Sequence, residues 1–405
     1  MPLSVLTPPS ITPASQRGVV VPALYVHIPF CFHKCHYCDF YSITRQGEDR
    51  MARFVDLLLA EAELWSAEKP GPTPVPKTVF FGGGTPSLLP PDLMRRLIQG
   101  LHRRFDLAEV TEWTCECNPA TVREAYGRDY LAMLFESGVG RLSFGAQSFN
   151  PADLKILERH HNPDDVPASI EAARAAGFAR INADLIYGVP GQTLSSWADS
   201  LEQAIALGTE HLSCYSLTYE SNTPMAVRKR LGQVVPTGDD TDLQMFHHTR
   251  DRLAALGMPA YEVSNYARPA AECRHNLAYW QGDDYVALGP SGSSHVQGTR
   301  WRNRPHLGEW ESAIAEGRLP TTDAEQLTPE QRAGELAMLR LRLTSGIEFA
   351  DFADRTGYDA RQLFAAEFDR YGKLGLLEVT ATSAKLSGRG WDVADALAGE
   401  LLRAT

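Results

Sequence analysis

Three cysteines, Cys31, Cys35 and Cys38, fall within eight positions of the stretch CFHKCHYCDF, with His33 and His36 between them. Thiolates at this spacing on one short loop suit a metal. One solution is a closed zinc tetrahedron of the three cysteines and one of the two histidines. The other is a [4Fe–4S] cube in which three thiolates hold three irons and the fourth iron stays open for a further ligand. Zinc leaves a second set of residues unexplained. Glu116, Gln147, Asp184 and Glu220 each stand at or near the end of a β-rich run, beside loop residues such as Asn118-Pro119 and Gly188-Val189-Pro190-Gly191. Polar groups at the C-terminal ends of strands are where β/α barrels bind ligands. Gly82-Gly83-Gly84-Thr85-Pro86 adds bare backbone after a strand, which lets the chain approach a ligand closely.

The elements that must position these groups are short β-rich runs alternating with longer helical patterns. The runs are ALYVHIPF, KTVFFGGG, EWTCECNP, GRLSFGAQSF, RINADLIYGVPG, EHLSCYSLTYE and PAYEVSNYARP. Such alternation predicts β/α units around a parallel sheet. Leu93, Met94, Leu97, Ile98 and Leu101 keep helical spacing on one face, as do Phe54, Leu58, Ala62 and Trp65. In EWTCECNP, period two sends Glu116 to one face and Cys115 and Cys117 to the other, where they pack as small hydrophobes, as does Cys214.

With 405 residues the chain exceeds one ordinary core, so a barrel with a smaller appended domain is expected. The division read from the sequence is a flexible leader over 1–22, a barrel over 23–260, an extension over 261–310 and a C-terminal domain over 311–405. The leader lacks the basic start and apolar run of a secretory signal. A net charge of −11 argues against nucleic acid as a partner. Seven cysteines, an odd number, in a chain without a membrane-spanning stretch suit a reducing cytoplasm and metal rather than a disulfide framework. Towards the end, helical stretches near 308–316 and 328–344 precede a tail with a helix closing near Gly372, a hairpin of LGLLEV with SAKLS, and a last helix. That order is winged-helix-like, and the charge balance favours packing or partner contact over DNA.

CxxxCxxC after a first strand, followed by the glycine-rich end of a second, resembles the radical S-adenosylmethionine superfamily. The ordered series YVHIPFC, FFGGGTPSLL, ECNPAT, SFGAQSFN, ADLIYGVPGQT, YEVSNYA, HNLAYW and LGPSGSSH is similar to the branch containing oxygen-independent coproporphyrinogen III oxidase and the HemW-type heme chaperones. The resemblance implies a partial (β/α)6-type barrel with a HemN-like C-terminal domain. It implies Cys31, Cys35 and Cys38 as cluster ligands. S-Adenosylmethionine would be met by Tyr25, Tyr37, Gly83, Gly84, Thr85, Glu116, Gln147, Arg159 and Asp184, with Arg159 suited to its carboxylate and acidic groups to its ribose hydroxyls.

Within that branch the oxidases carry a fourth cysteine two residues after the third, where this chain has Phe40, and a longer segment before the first strand. Both departures point away from coproporphyrinogen oxidation and towards the heme chaperones. In them the HNxxYW motif, here His275, Asn276, Tyr279 and Trp280, implies contact with heme through an imidazole and aromatic faces. The expected function is therefore to bind a [4Fe–4S] cluster, S-adenosylmethionine and heme as cargo, and to deliver heme to acceptor hemoproteins, respiratory ones included. The expected setting is the cytoplasm, with peripheral contact at the inner face of the membrane and a homodimer both compatible with it.

Overall fold

A computed structural model describes residues 19–65, 73–122 and 127–402. Its centre is a run of six parallel strands in chain order: β1 Val20–Ile28, β2 Thr73–Gly83, β3 Glu112–Cys117, β4 Arg141–Gln147, β5 Arg180–Tyr187 and β6 His211–Ser216. Alternation along each strand sorts its side chains. Leu24, Val26 and Ile28, Val79 and Phe81, Cys115 and Cys117, Leu142 and Phe144, and Leu212 and Cys214 all join one large apolar core. Helices lie over that face, among them α1 Glu48–Leu64 and α2 Pro91–His102, which contribute Phe54, Leu58, Ala62, Met94, Leu97 and Leu101. A proline at the first position of α2 fits there because the first amides of a helix have no internal partner. The thiols of Cys115, Cys117 and Cys214 are buried as the alternation predicts. The opposite strand face carries Tyr25, His27, Phe80, Glu116, Ser143, Asn182, Asp184 and Ser213, so the inside of the partial barrel is polar.

Four features go beyond the expected pattern. First, β1 begins at Val20, inside the segment expected to be a loose leader, because Val20 and Val21 pair with Thr73 and Pro74; leader residues 1–18 lie outside the described residues. Second, the run PAYEVSNYARP supplies β7 Asn265–Ala267, which pairs antiparallel to β6 rather than continuing the parallel series. Third, β8 Tyr285–Leu288 adds in parallel on the other side of β1, and β9 Ser293–Val296, β10 Thr299–Asn303 and β11 Thr321–Gln326 extend it antiparallel into an eleven-stranded sheet. Fourth, Glu220 stands exposed beyond β6, and its carbonyl accepts from the Thr223 hydroxyl at 2.7 Å in a turn.

A fully buried carboxylate pins this extension to α1. Glu61 accepts from the Gly289 amide at 2.7 Å, Asn303 Nδ2 at 2.7 Å and Trp310 Nε1 at 3.0 Å. The stretch LGPSGSSH thereby meets the first helix. A second core, from Ala333 to Leu401, packs helices Pro329–Leu341, Phe349–Thr356, Ala365–Lys373 and Ala394–Glu400 against a small sheet. In that sheet Ser383–Leu386 pairs antiparallel with both Leu377–Val379 and Ile347–Glu348, the winged-helix-like hairpin read from the sequence. Arg250 over Trp391 at 4.3 Å and His247 to Asp392 at 2.8 Å tie this unit to the barrel.

Candidate functional site

The cysteine loop leaves β1 at Ile28 and is held against the end of β2 by backbone bonds. The Gly84 amide donates to the Ile28 carbonyl at 2.9 Å and the Thr85 amide to Phe30 at 2.7 Å. A Cβ on Gly84 would sit 2.7 Å from the Phe30 oxygen and 2.7 Å from the Pro29 carbonyl carbon. Glycine is therefore required for the two backbones to touch. Gly83 has φ +105°, and a Cβ there would strike the His27 ring at 2.4 Å. Its amide donates to Glu116 Oε2 at 3.2 Å.

All three thiols of the loop are free and half-buried. The Thr85 hydroxyl donates to Cys31 Sγ at 3.7 Å, and Arg159 Nη1 donates to Cys35 Sγ at 3.6 Å. Burial pushes the Cys31 thiol up, against hydrogen bonds from Thr85 and Ser42, and pushes Cys38 up to about 11. Metal binding here must displace protons, and the donors and the guanidinium favour the resulting thiolates. Among the described residues no three His, Cys, Asp or Glu side chains gather tightly enough to hold a single ion. His33 and His36 turn towards Glu158, at 3.8 and 3.9 Å, so neither completes a zinc tetrahedron with the cysteines. Zinc would bring its thiolates within about 3.8 Å of one another, whereas cube ligands each take a different iron and stand wider. Three thiols on one loop, two of them with hydrogen-bond donors, fit the cube.

Arg159 lies between this loop and β4. Its Nη2 donates to the Gly145 carbonyl at 2.6 Å, while Nε has no partner. A Cβ on residue 145 would lie 2.8 Å from Gln147 Nε2 and 3.2 Å from Arg159 Nη2, so Gly145 makes room for both side chains. Gln147 itself takes φ 65° where β4 slips register against β5. Glu116 and Asp184 share the polar interior. Burial, then the neighbouring Asp184 charge, pushes Glu116 up to about 8, opposed by the Gly83 amide. Burial also raises Asp184, against hydrogen bonds from its neighbours. Asn182 Nδ2 donates to Asp184 Oδ1 at 2.7 Å and the Ser143 hydroxyl to Oδ2 at 3.2 Å. Asn182 and Ser143 were missed in the sequence, although Asn182 stands two residues before Asp184 and so shares its strand face. The buried acid pair of Glu116 and Asp184 can meet hydroxyls at one end of this space, and Arg159, 3.6 Å from the Cys35 thiol, can bind a carboxylate at the other.

Tyr25 and Tyr37 bracket this space. His27 Nε2–H donates to the Tyr41 carbonyl at 2.8 Å, which leaves Nδ1 to accept from the Tyr25 hydroxyl at 3.3 Å. Tyr25 stacks on Phe80 at 6.1 Å. Tyr37 packs on the small apolar cluster of Leu157, Ile186, Val189 and Leu217.

The HNxxYW residues open a short helix, Arg274–Gln281, whose first amides are capped by Glu112: the amides of Arg274 and His275 donate to its carboxylate at 3.1 and 3.0 Å. His275 is 1% exposed, with Nδ1 bonded to the Thr78 hydroxyl at 2.9 Å and Nε2 to the Tyr279 hydroxyl at 2.8 Å. Burial lowers it to about 3, so the ring is neutral. Its face stacks on Phe80 at 5.2 Å, linking the motif to Tyr25. Asn276, Tyr279 and Trp280 are half-buried, and Arg342 of the C-terminal unit lies over the Trp280 ring at 5.3 Å.

The sequence matches the Radical SAM superfamily over residues 25–204 and the HemN C-terminal domain over residues 327–393. It is 36% identical over 384 residues to heme chaperone HemW of Mycobacterium tuberculosis, covering 94% of each chain. The HemW of Bacillus subtilis is 33% identical over 369 residues, 90% of this chain and 95% of that one. Among solved structures, coproporphyrinogen III oxidase (HemN) from Escherichia coli, a radical SAM enzyme, covers 94% of this chain and 90% of its own with a TM-score of 0.80 at 22% identity, a likeness of fold. Joined to the three-cysteine loop and the polar strand ends, these likenesses identify the chain as a member of the radical SAM superfamily and, within it, of the HemW heme chaperone family.

Proposed function

We propose that this protein binds a [4Fe–4S] cluster, S-adenosylmethionine and heme, and hands the heme to acceptor hemoproteins. The observation that carries the reading is the likeness to proteins named heme chaperones along 94% of the chain. Cys31, Cys35 and Cys38 hold the cluster, which when bound supplies an open iron and a low-potential electron. Thr85 and Arg159 keep the thiolates charged through the contacts already described. Arg159, with its free Nε, binds the methionine carboxylate; the backbone at Gly83, Gly84 and Thr85 borders the methionine amine. Glu116 and Asp184 accept from the ribose hydroxyls, with Gln147 beside them and Tyr25 and Tyr37 packing on the nucleoside.

In this reading residues 23–260 carry the cofactors, 261–310 extend the barrel, and 311–405 form the unit that meets partners. His275, Asn276, Tyr279 and Trp280 are the heme contacts that the resemblance assigns; ligation by His275 requires release of either Thr78 or Tyr279. Among the described residues no helix is long and apolar enough to cross a membrane. We place the protein in the cytoplasm, meeting respiratory acceptors at the inner membrane face, with dimerisation as a further part of the proposal.

The test is anaerobic. Reconstituted protein is titrated with hemin, then mixed with an apo-hemoprotein, and separately incubated with S-adenosylmethionine, reductant and coproporphyrinogen III. A saturable hemin complex that reconstitutes the acceptor supports the reading. No hemin complex, or conversion of coproporphyrinogen to protoporphyrinogen, overturns it in favour of the oxidase.

A further inference from the structure

Across β1 to β5 one layer of inward side chains runs in register: Tyr25 beside Phe80, Phe80 beside Thr114, Thr114 beside Arg141 and Arg141 beside Arg180. Glu116, Ser143 and Asn182 make the next layer towards the strand ends. The two arginines are served very differently. Arg180 Nη2 donates to the Ala271 and Glu272 carbonyls, each at 3.0 Å, and the side chain pairs with Glu112 at 3.5 Å and Glu210 at 3.6 Å. Arg141 is 3% exposed, yet among the described residues its Nε finds no acceptor and no carboxylate pairs with its guanidinium. Glu112 and Asp184 act on it only electrostatically, the first being occupied by the Cys273 thiol and the amides of Arg274 and His275. Beside it Thr114 is fully buried, and its hydroxyl is without a partner as well.

A guanidinium and a hydroxyl taken out of water side by side, with nothing to accept from either, are unfavourable until an acceptor arrives. The acceptor that fits carries one negative charge and two oxygens. The guanidinium offers parallel N–H donors to such a fork, and the Thr114 hydroxyl adds another donor. A second negative charge would meet Glu116 and Asp184 in the layers above. The other side of the same layer is aromatic: Tyr25 stacks on Phe80 at 6.1 Å, and Phe80 carries the His275 ring at 5.2 Å. A carboxylate attached to a flat apolar body matches both halves.

We propose that Arg141 and Thr114 form a carboxylate-binding site inside the barrel, and that the carboxylate is a heme propionate, an assignment that rests on the heme-carrier reading above. Only the propionate arm enters this layer, while the macrocycle stays with the HNxxYW residues. Those four residues include no cation. Arg141, whose charge already acts on the His275 ring, supplies one from the neighbouring strand face.

The test titrates full-length, cluster-loaded protein with hemin and with hemin dimethyl ester, in which both propionates are masked. Wild type is expected to bind hemin roughly tenfold more tightly than the ester. Arg141→Met loses roughly tenfold for hemin and nothing for the ester, and the isosteric Thr114→Val roughly threefold for hemin alone. Unchanged hemin affinity in both variants, or equal losses for hemin and ester, overturns the assignment. Thermal unfolding without ligand separates binding from a structural role. Arg141→Met deletes an unpartnered buried charge and is expected to melt no lower than wild type; a sharply lowered Tm shows that the guanidinium holds the fold and overturns the proposal. Sodium propionate, compared with sodium chloride at equal ionic strength, is expected to raise the Tm of wild type but not of Arg141→Met. If wild type binds no hemin, the carrier reading falls, and the carboxylate site stands or falls on that propionate shift alone.

Discussion

Replacing Glu61 by glutamine tests the clamp that joins the first helix to the sheet extension. Glu61 is fully buried, and burial pushes it up to about 8 from an ordinary 4.5, against the amide of Gly289 and the side chains of Trp310 and Asn303. The folded state therefore holds the proton more tightly than the unfolded chain. Its stabilising contribution is complete below pH 4.5 and is lost as pH rises through about 8. The full span of that shift corresponds to at most about 5 kcal/mol. Glutamine is neutral throughout and removes the slope. Its carbonyl can replace Oε2, which accepts from Gly289 and Trp310, but its amide then faces Asn303 Nδ2, a donor that already serves Gly289 O at 2.9 Å. One mismatched buried donor costs about 1–3 kcal/mol. Glu61→Gln is therefore expected to be less stable than wild type near pH 5 and to gain on it with rising pH, equalling or passing it by pH 8.5. Urea unfolding of both proteins across that window reads the difference, in which contributions from other acids cancel. A difference that stays constant with pH would refute the argument.

Three further outcomes bear on the site. Serine at Cys31, Cys35 or Cys38 is expected to lose most bound iron, and wild-type iron uptake is expected to rise with pH towards the Cys38 value of about 11, because burial holds Cys31 and Cys38 protonated; a flat uptake profile counts against thiolate ligation. Glu116→Gln and Asp184→Asn are each expected to weaken S-adenosylmethionine binding roughly tenfold by calorimetry, and unchanged affinity in both would remove them from the ribose site. Gly84→Ala drives a methyl into the Pro29 and Phe30 backbone, so cluster content should fall sharply with a destabilisation of about 1–3 kcal/mol; wild-type iron content in this variant would show that the loop tolerates the shift.

Local spacing was enough to read the three thiols, the glycine-rich strand end and the faces of the strands. Period two alone separated Glu116 from Cys115 and Cys117, and helical spacing alone found the buried face of Pro91–His102. These are properties of neighbours within a few residues, and burial of one face is enough to enforce them. The winged-helix-like hairpin is of the same kind, since its two strands adjoin in the chain.

Only the tertiary structure decided which distant groups meet. The parallel pairing of Tyr285–Leu288 with the first strand joins segments more than 250 residues apart, and a four-residue run carries no pattern that announces its neighbour. Arg159 reaches Cys35 across 124 positions, and Thr78 reaches His275 across 197. That last contact changes the meaning of a motif: HNxxYW reads as an available imidazole, yet folding satisfies both nitrogens of His275 and buries it. Residue type sets what a side chain is able to do, but its free valences depend on which groups the chain's path brings within hydrogen-bond distance, and no local periodicity encodes that.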